Sequence, residues 1–327
     1  MLRAISMDWA RLPDWEVVVC WDTRFGHWDI PSITARGIEG YASFMDAWQS
    51  IALEVDFVLV IAPEIDNELA TIIRKLRKSA GCLLNADDCF LTAASDKWMT
   101  AQSFMQAGIL HPSTFLLNDF LEHGIQIVTD SEPPERWVIK PRDGAGCLGV
   151  KRFDSLFDLE HAMQSKVNAN RYILQPWIQG IAASVAVLCG AGEQVVLPAM
   201  YQNIVFGNPL ADQNLQYLGG RGPWQSGSQI TIEAFAKSVI SALPGSPRGW
   251  VGIDFVQSMT ENNEAQLVAI EVNPRLTTSY IGLREIVVEN LADLLFQTAI
   301  GQKVRYSCSG SSIAFDSFGK PDENLVY

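Results

Sequence analysis

Histidine is nearly missing from this chain, and its cysteines are not arranged for chemistry. Four histidines scattered over 327 residues exclude a zinc site built on imidazoles. The six cysteines (Cys20, Cys82, Cys89, Cys147, Cys189 and Cys308) form no C-x-x-C pair and sit mostly in apolar runs. They read as reduced, buried thiols of a cytoplasmic protein. Positive charge is also scarce: 24 basic residues against 37 acidic ones leave a formal net charge of −13 and a pI of about 4.7. Such a surface repels a phosphate backbone, so nucleic acid is excluded as the principal partner, and any anionic ligand must be met by a local cluster of donors. Long hydrophobic runs are absent. The longest uncharged stretch, Tyr172 to Gly192, is broken by Gln175, Pro176 and Gln179 and reads as buried strands rather than a membrane span. The start, Met1-Leu2-Arg3-Ala4, runs quickly to Asp8 and Arg11 and does not read as a signal peptide. What remains is 48% hydrophobic and 19% charged, a soluble globular composition long enough for two or three lobes.

The first third alternates β-branched runs with helical patterns. Glu16–Cys20, Val55–Ile61 and Cys82–Leu84 read as strands, and Gly40–Leu53 as a helix. A second helix follows Pro63, with Ile65, Leu69, Ile72, Ile73 and Leu76 on one stripe and Gly81 as its stop. Alternation of this kind predicts an α/β lobe with parallel strands. Ser95 is placed to cap a helix running from Lys97 to Gly108. Beyond it, Trp137–Lys140, Tyr172–Gln175, Ser184–Cys189, Val195–Met200, Trp250–Gln257 and Gln266–Val272 read as strands. The helices Ser155–Met163 and Ile232–Ala242 interrupt them, and a last helix spans Leu283–Ala299. Strands with so few helices between them predict antiparallel sheets. The tail from Ser307 is only weakly patterned.

Three stretches carry candidate chemistry. The strand Trp137-Val-Ile-Lys140 runs into Asp143-Gly144-Ala145-Gly146 and then Gly149. Closely spaced glycines let backbone N–H groups approach an anion, and a nearby lysine supplies the counter-charge. A tight hairpin accounts for the same residues equally well. The stretch is neither a Walker loop nor a dinucleotide fingerprint, because no Lys-Ser follows the last glycine and a strand follows instead of a helix. Near the C-terminus, Asp254 lies on one apolar strand, and Glu271 and Asn273, two apart, share a face of another. If those strands are neighbours, three hard oxygen ligands converge, which suits Mg²⁺. Strand-end polar residues meeting solvent are the plainer alternative. Between these stretches, Gln175-Pro176-Trp177-Ile178 could offer alternate backbone groups to an adenine ring, with Ile178 as the donor. A buried strand with no ligand explains it too.

In this order, the pieces resemble the ATP-grasp superfamily of carboxylate–amine ligases, from Ser95 to about Gly301, with the first lobe similar to the domain that usually precedes it. The resemblance implies an α/β N-terminal lobe (1–94), then an α+β ATP-grasp fold of two subdomains clasping ATP. These are a small lid subdomain (95–180) and a large subdomain (181–327) with the metal site and the C-terminal helix. By position, Lys97 and Lys140 would contact the α- and β-phosphates, and the loop from Asp143 to Gly149 would close as a lid. Gln175 stands where such proteins often carry an adenine-contacting Glu, beside Pro176, Trp177 and Ile178. Asp254, Glu271 and Asn273 would hold magnesium, two ions with manganese as an alternative, and Arg275 and Lys140 would be the catalytic residues.

Within the superfamily, Glu271-Val-Asn-Pro-Arg-Leu-Thr-Thr-Ser-Tyr-Ile-Gly-Leu-Arg284 and Gly180-Ile-Ala-Ala-Ser-Val185 resemble the group containing tyramine–glutamate ligase of methanofuran-type cofactor biosynthesis. The partners this implies are small molecules, an amino-acid carboxylate and an amine; a homodimer stays open. Arg221, Tyr217 and Tyr280 are candidate substrate contacts. The wider substrate segment, Tyr201 to Trp224, could serve either the carboxylate or the amine. Two departures stand out. The ribose-gripping carboxylate of many ATP-grasp enzymes is Ala182 here, and the chain starts about one strand later than related sequences. The resemblance implies a ligase that joins the γ-carboxylate of glutamate to tyramine or tyrosine through an acyl phosphate. The alternatives are another amino-acid or pterin substrate, or an ATP-binding protein without turnover.

Overall fold

The computed structural model describes residues 1–123, 135–163, 168–206, 214–225 and 229–321. The chain opens with helix α1 (Leu2–Trp9), followed by β1 (Val18–Asp22) and β2 (Thr34–Ile38), which pair in parallel as expected of an α/β lobe. Helices α2 (Tyr41–Glu54) and α3 (Glu68–Leu76) follow. On α3 the stripe Leu69, Ile72, Ile73 and Leu76 is buried at helical spacing, and the helix ends a turn before Gly81. The strands expected at 55–61 and 82–84 reduce to one parallel bridge, Val58 to Leu83. Helix α4 (Asp88–Ser95), not anticipated, ends at Ser95, and the cap of α5 (Lys97–Ala107) is instead Asp96, which accepts from the N–H groups of Trp98 and Met99. A carboxylate at that position also complements the helix dipole, which a serine does not.

Two antiparallel sheets make up the rest. The small one joins β3 (Phe115–Leu116), β4 (Trp137–Pro141), β5 (Lys151–Phe153) and β6 (Tyr172–Pro176) in the order β3-β6-β4-β5. Helices α6 (Leu117–His123) and α7 (Leu156–Met163) belong to it, and Leu117, Phe120, Trp137, Phe153, Leu159 and Leu174 form its own core. The large sheet contains β7 (Ile181–Cys189), β8 (Gln194–Val196), β9 (Met200–Phe206), β10 (Leu215–Gly222), β11 (Gly249–Met259) and β12 (Ala265–Asn273). Its order is β12-β11-β7-β9-β10-β13, where β13 is Ile313–Asp316 and β8 lies beside β7. The edge strand β13 comes from the tail that shows little pattern in sequence.

The sheet is buried on both faces. Val185, Val187, Val251 and Ile253 pack with α3, α4 and α8 (Gln229–Ser241), while Leu188 and Trp250 pack with α9 (Ser279–Ile286), α10 (Leu291–Ala299) and Ile5 of α1. This two-sided burial is why these strands read as unbroken apolar runs. The single helix expected over 283–299 is two helices. Val287 is extended, and Asn290 caps α10 by accepting from the N–H groups of Ala292 and Asp293. All six cysteines are free, but only Cys189 is buried, and Cys89 and Cys308 are exposed, against the expectation of buried thiols. Among the described residues no helix is long and apolar enough to cross a membrane.

Candidate active site

A cleft of about 1070 Å³ lies between the two sheets. Its floor is set by the pairing of β11 with β12, which places Asp254 directly opposite Glu271 and Gly252 opposite Asn273. The next pair is Phe255 with Ala269, so Ile270 is an extra residue, a bulge that ends the regular ladder at the carboxylates. β11 and β12 are therefore neighbours, as convergence of Asp254, Glu271 and Asn273 requires. Asp254 is held at both oxygens: Gln202 Nε2 donates to Oδ1 at 2.9 Å and Asn273 Nδ2 donates to Oδ2 at 3.2 Å. Gln202 was missed in sequence, since nothing local links a glutamine on β9 to an aspartate on β11.

The two carboxylates titrate in opposite directions. Burial, and then the charge of Glu271, push Asp254 well above the usual carboxylate range. Burial would raise Glu271 as well, but Lys97 and Lys140 overcome it and hold Glu271 at about 2. Lys97 Nζ lies 3.2 Å from Glu271 Oε2 and donates to the carbonyl of Gly144 at 3.3 Å, so one cation bridges floor and glycine loop. Lys140 on β4 is 8% exposed, and burial lowers its ammonium pKa against the pull of Glu271. Asp254, Glu271 and Asn273 form a hard-oxygen set that fits a magnesium ion, and a cation there would relieve the repulsion that raises Asp254.

The glycine loop follows β4. Gly144, Ala145, Gly146 and Cys147 line the cleft, and Gly146 adopts a left-handed backbone (φ +64°) with open space where a side chain would go. Asp143, taken as part of the nucleotide contact, does not line the cleft: its Oδ2 accepts from the N–H of Asp66, and Arg171 sits 3.5 Å from its Oδ1. Burial pushes the Cys147 thiol up to about 12, so it is no nucleophile at neutral pH. Gly146→Val should leave the fold intact while forcing a β-branched residue into a left-handed turn, at roughly 1–2 kcal/mol. We expect kcat/KM for ATP to fall about tenfold, with the thermal unfolding midpoint lowered by only about 2–6 °C. Wild-type kinetics in that variant would mean the loop has no part in nucleotide binding.

The hinge Gln175–Gly180 closes one side of the cleft. Gln175 is 3% exposed; its Nε2 donates to Thr114 Oγ1, while its buried Oε1 has no partner among the described residues. The Ile178 N–H likewise has no partner among them. Trp177 packs edge-on against Phe206, over which the guanidinium of Arg152 stacks at 3.7 Å. Gly180 is pressed against β11: a Cβ there would lie 2.2 Å from the carbonyl oxygen of Gln257. Ala182 lines the cleft without a ribose-binding carboxylate of its own.

Of the substrate candidates, Arg221 and Tyr217 line the cleft and Tyr280 does not. Tyr280 is fully buried and its hydroxyl donates to Asp8 Oδ2 at 2.7 Å, so it belongs to the core. The Tyr217 hydroxyl accepts from Thr278 Oγ1, and Arg221 stacks on Tyr201 at 4.6 Å. Residues 207–213 of the expected substrate segment lie outside the described residues.

Two sheets thus close on paired lysines, a glycine loop and a half-buried carboxylate pair. The chain belongs to the ATP-grasp family: the ATP-grasp domain matches residues 94–279 and the pre ATP-grasp 3 domain residues 15–88. It is similar to tyramine–L-glutamate ligase of Methanocaldococcus fervens, 26% identical over 80% of this chain and 72% of the relative. The enzyme of the same name from Methanocaldococcus jannaschii is 24% identical over 80% and 68%. Among solved structures, L-amino acid ligase from Bacillus licheniformis has the same fold (TM-score 0.65, 19% identity, 91% of this chain and 71% of that one). So does the biotin carboxylase domain of Hydrogenobacter thermophilus 2-oxoglutarate carboxylase, solved with MgADP (TM-score 0.72, 15% identity, 95% and 71%).

Proposed function

We propose that the protein joins the γ-carboxylate of glutamate to the amine of tyramine or tyrosine, with ATP as the energy source, in a methanofuran-type cofactor pathway. The observation that carries the ligase chemistry is the half-buried Asp254–Glu271 pair beside Lys97 and the buried Lys140. A site of this kind collects a polyphosphate and a divalent cation at one point, and offers no side-chain nucleophile of its own.

In this reading Lys97, Lys140 and the N–H groups of the loop at Gly144–Gly146 receive the phosphates. The free Oε1 of Gln175 accepts from the adenine amine and the N–H of Ile178 donates to the ring. Asp254, Glu271 and Asn273 would hold Mg²⁺, which neutralises phosphate charge when bound. A carboxylate oxygen of the acyl donor attacks the γ-phosphorus, the bond to the β-phosphate oxygen breaks, and ADP leaves. The amine nitrogen then attacks the acyl carbon, loses a proton, and expels inorganic phosphate. Arg275 stabilises the transferred phosphoryl group, and a closed lid keeps water from the acyl phosphate.

The acceptor amine and the acyl donor are assigned by likeness to the two Methanocaldococcus enzymes, and Arg221 gives a handle on both. It is exposed to the cleft, is kept in place by Tyr201, and has no acidic partner among the described residues. Arg221→Ala should raise the KM of the substrate whose carboxylate it meets by ten- to a hundredfold, the roughly 1.5–3 kcal/mol of a charged hydrogen bond. If that carboxylate belongs to tyrosine, the effect is much smaller with tyramine; if it belongs to glutamate, it is the same with either amine. Steady-state ADP release with glutamate and each amine decides the matter. No stimulation by either amine would remove the aromatic acceptor and leave a ligase for other substrates.

A further inference from the structure

One buried acid takes no part in the scheme above. Glu64 belongs to the N-terminal lobe, just after Pro63, and is 2% exposed. Its backbone is fixed by a short turn in which Asn67 N–H donates to the Glu64 carbonyl and Leu69 N–H to that of Pro63. Its Oε2 accepts from Arg275 Nε at 2.8 Å, across 211 residues of sequence. Its Oε1 is buried with no partner among the described residues. Arg275 is itself 11% exposed at the side chain, and its Nη1 donates to the carbonyl of Leu276 at 3.2 Å. The guanidinium is therefore gripped at Nε from another lobe and at Nη1 from its own strand end. Its Nη2, with two N–H groups, has no partner among the described residues and sits on a side chain that lines the cleft.

A buried ion pair with an unsatisfied oxygen contributes little net stability compared with an apolar pair of the same volume. What it does supply is geometry, because a guanidinium is a planar fork and fixing one edge aims the other. We infer that Glu64 is a positioning residue that aims Arg275 at the γ-phosphate from the N-terminal lobe. Glu64 does not line the cleft and acts only through the arginine. The inference rests on the role proposed above for Arg275.

Calorimetric binding of ADP and of a non-hydrolysable ATP analogue, both with Mg²⁺, separates this role from a structural one. Wild-type protein is expected to prefer the analogue, because Arg275 meets only its γ-phosphate. In Glu64→Gln that preference should shrink by about tenfold, while the ADP Kd stays within about twofold. In an Arg275→Met background, adding Glu64→Gln should leave the ratio unchanged, since the arginine through which Glu64 acts is gone. Equal weakening of both nucleotides, an intact preference, or an effect that persists without Arg275 would overturn the inference. Should Glu64→Gln not fold, Glu64→Asp keeps the charge but draws the carboxylate back by one methylene, and should lower the preference in the same way. A wild-type protein with no preference would strike at the Arg275 assignment itself, and at the inference with it. An amine that fails to stimulate turnover touches only the choice of substrate.

Discussion

Asp254→Asn and Glu271→Gln should both abolish ADP formation, yet move stability in opposite directions. Each removes an oxygen ligand's charge from the proposed magnesium site, and the several kcal/mol of phosphate neutralisation lost corresponds to a hundred- to a thousandfold or more in rate. The stability effects differ because the two carboxylates have different company. Glu271 is the counter-ion of Lys97 at 3.2 Å and of the buried Lys140, and Glu271→Gln strands both ammonium groups. Its folded-state pKa of about 2 lies below the unfolded value, so its contribution is full above pH 5 and is lost as pH falls toward 2. Asp254 is the reverse case. Burial and Glu271 raise it, so at neutral pH its charge is a burden, and Asp254→Asn should unfold at or above the wild-type temperature. An Asn there also keeps its partners, since the amides of Gln202 and Asn273 can turn to meet it. Thermal unfolding at pH 7 alongside ADP release checks both. Retained turnover in folded Asp254→Asn would sink the metal assignment, and parallel stability losses would sink the electrostatic one.

Asp8→Ala should be the most destabilising single change away from the cleft. Asp8 is 4% exposed and accepts from the Tyr280 hydroxyl, from Arg284 Nε at 2.8 Å and from Arg284 Nη2, while its carbonyl accepts from Asn290 Nδ2. It ties α1 to α9 and to the cap of α10. Removing it leaves a buried phenol without an acceptor and takes two charged hydrogen bonds from a half-buried guanidinium that keeps only Glu285, a loss of about 3–5 kcal/mol. ATP affinity should be nearly unchanged in whatever fraction remains folded, because none of these groups lines the cleft. Asp8→Asn should cost less, since it keeps an acceptor. An unfolding midpoint for Asp8→Ala within a degree of wild type would show that α1 is dispensable to the large sheet.

Tyr280 shows why some of the site was not legible in sequence. It stands in the same motif as Glu271 and Arg275, and adjacency suggested a shared task. The turn at Thr277–Thr278 and the start of α9 instead direct it into the core, toward an aspartate 272 residues earlier. Asp143 misled in the same way: the loop carries it, but its carboxylate turns to Asp66. Side-chain direction within a motif is set by partners far along the chain. The strands of the large sheet and the alternation that brings Glu271 and Asn273 to one face were readable, because burial and period two are local properties. Gln202, Glu64 and β13 act through residues distant in sequence and leave no local trace. Helix α4 and the break before α10 turned on single capping side chains, Asp87 and Asn290, and apolar spacing does not show those.

The separate core of the small sheet has a consequence for how the protein breathes. Leu117, Trp137, Phe153, Leu159 and Leu174 pack among themselves and share no residue with the two cores of the large sheet. Between the layers lie a small apolar cluster of Val138, Val150 and Leu215, the contacts of Trp177 and Arg152 with the Phe206 ring, the Lys151–Asn214 bridge, and the Arg171–Asp66, Asp143–Asp66 and Lys97–Gly144 links at the rim. Swinging the small sheet outward would give up those contacts, the small shared cluster included, and leave the three larger cores whole. Such a sub-global opening would cost less than complete unfolding. By that route a nucleotide could enter and leave while the carboxylate floor keeps its shape.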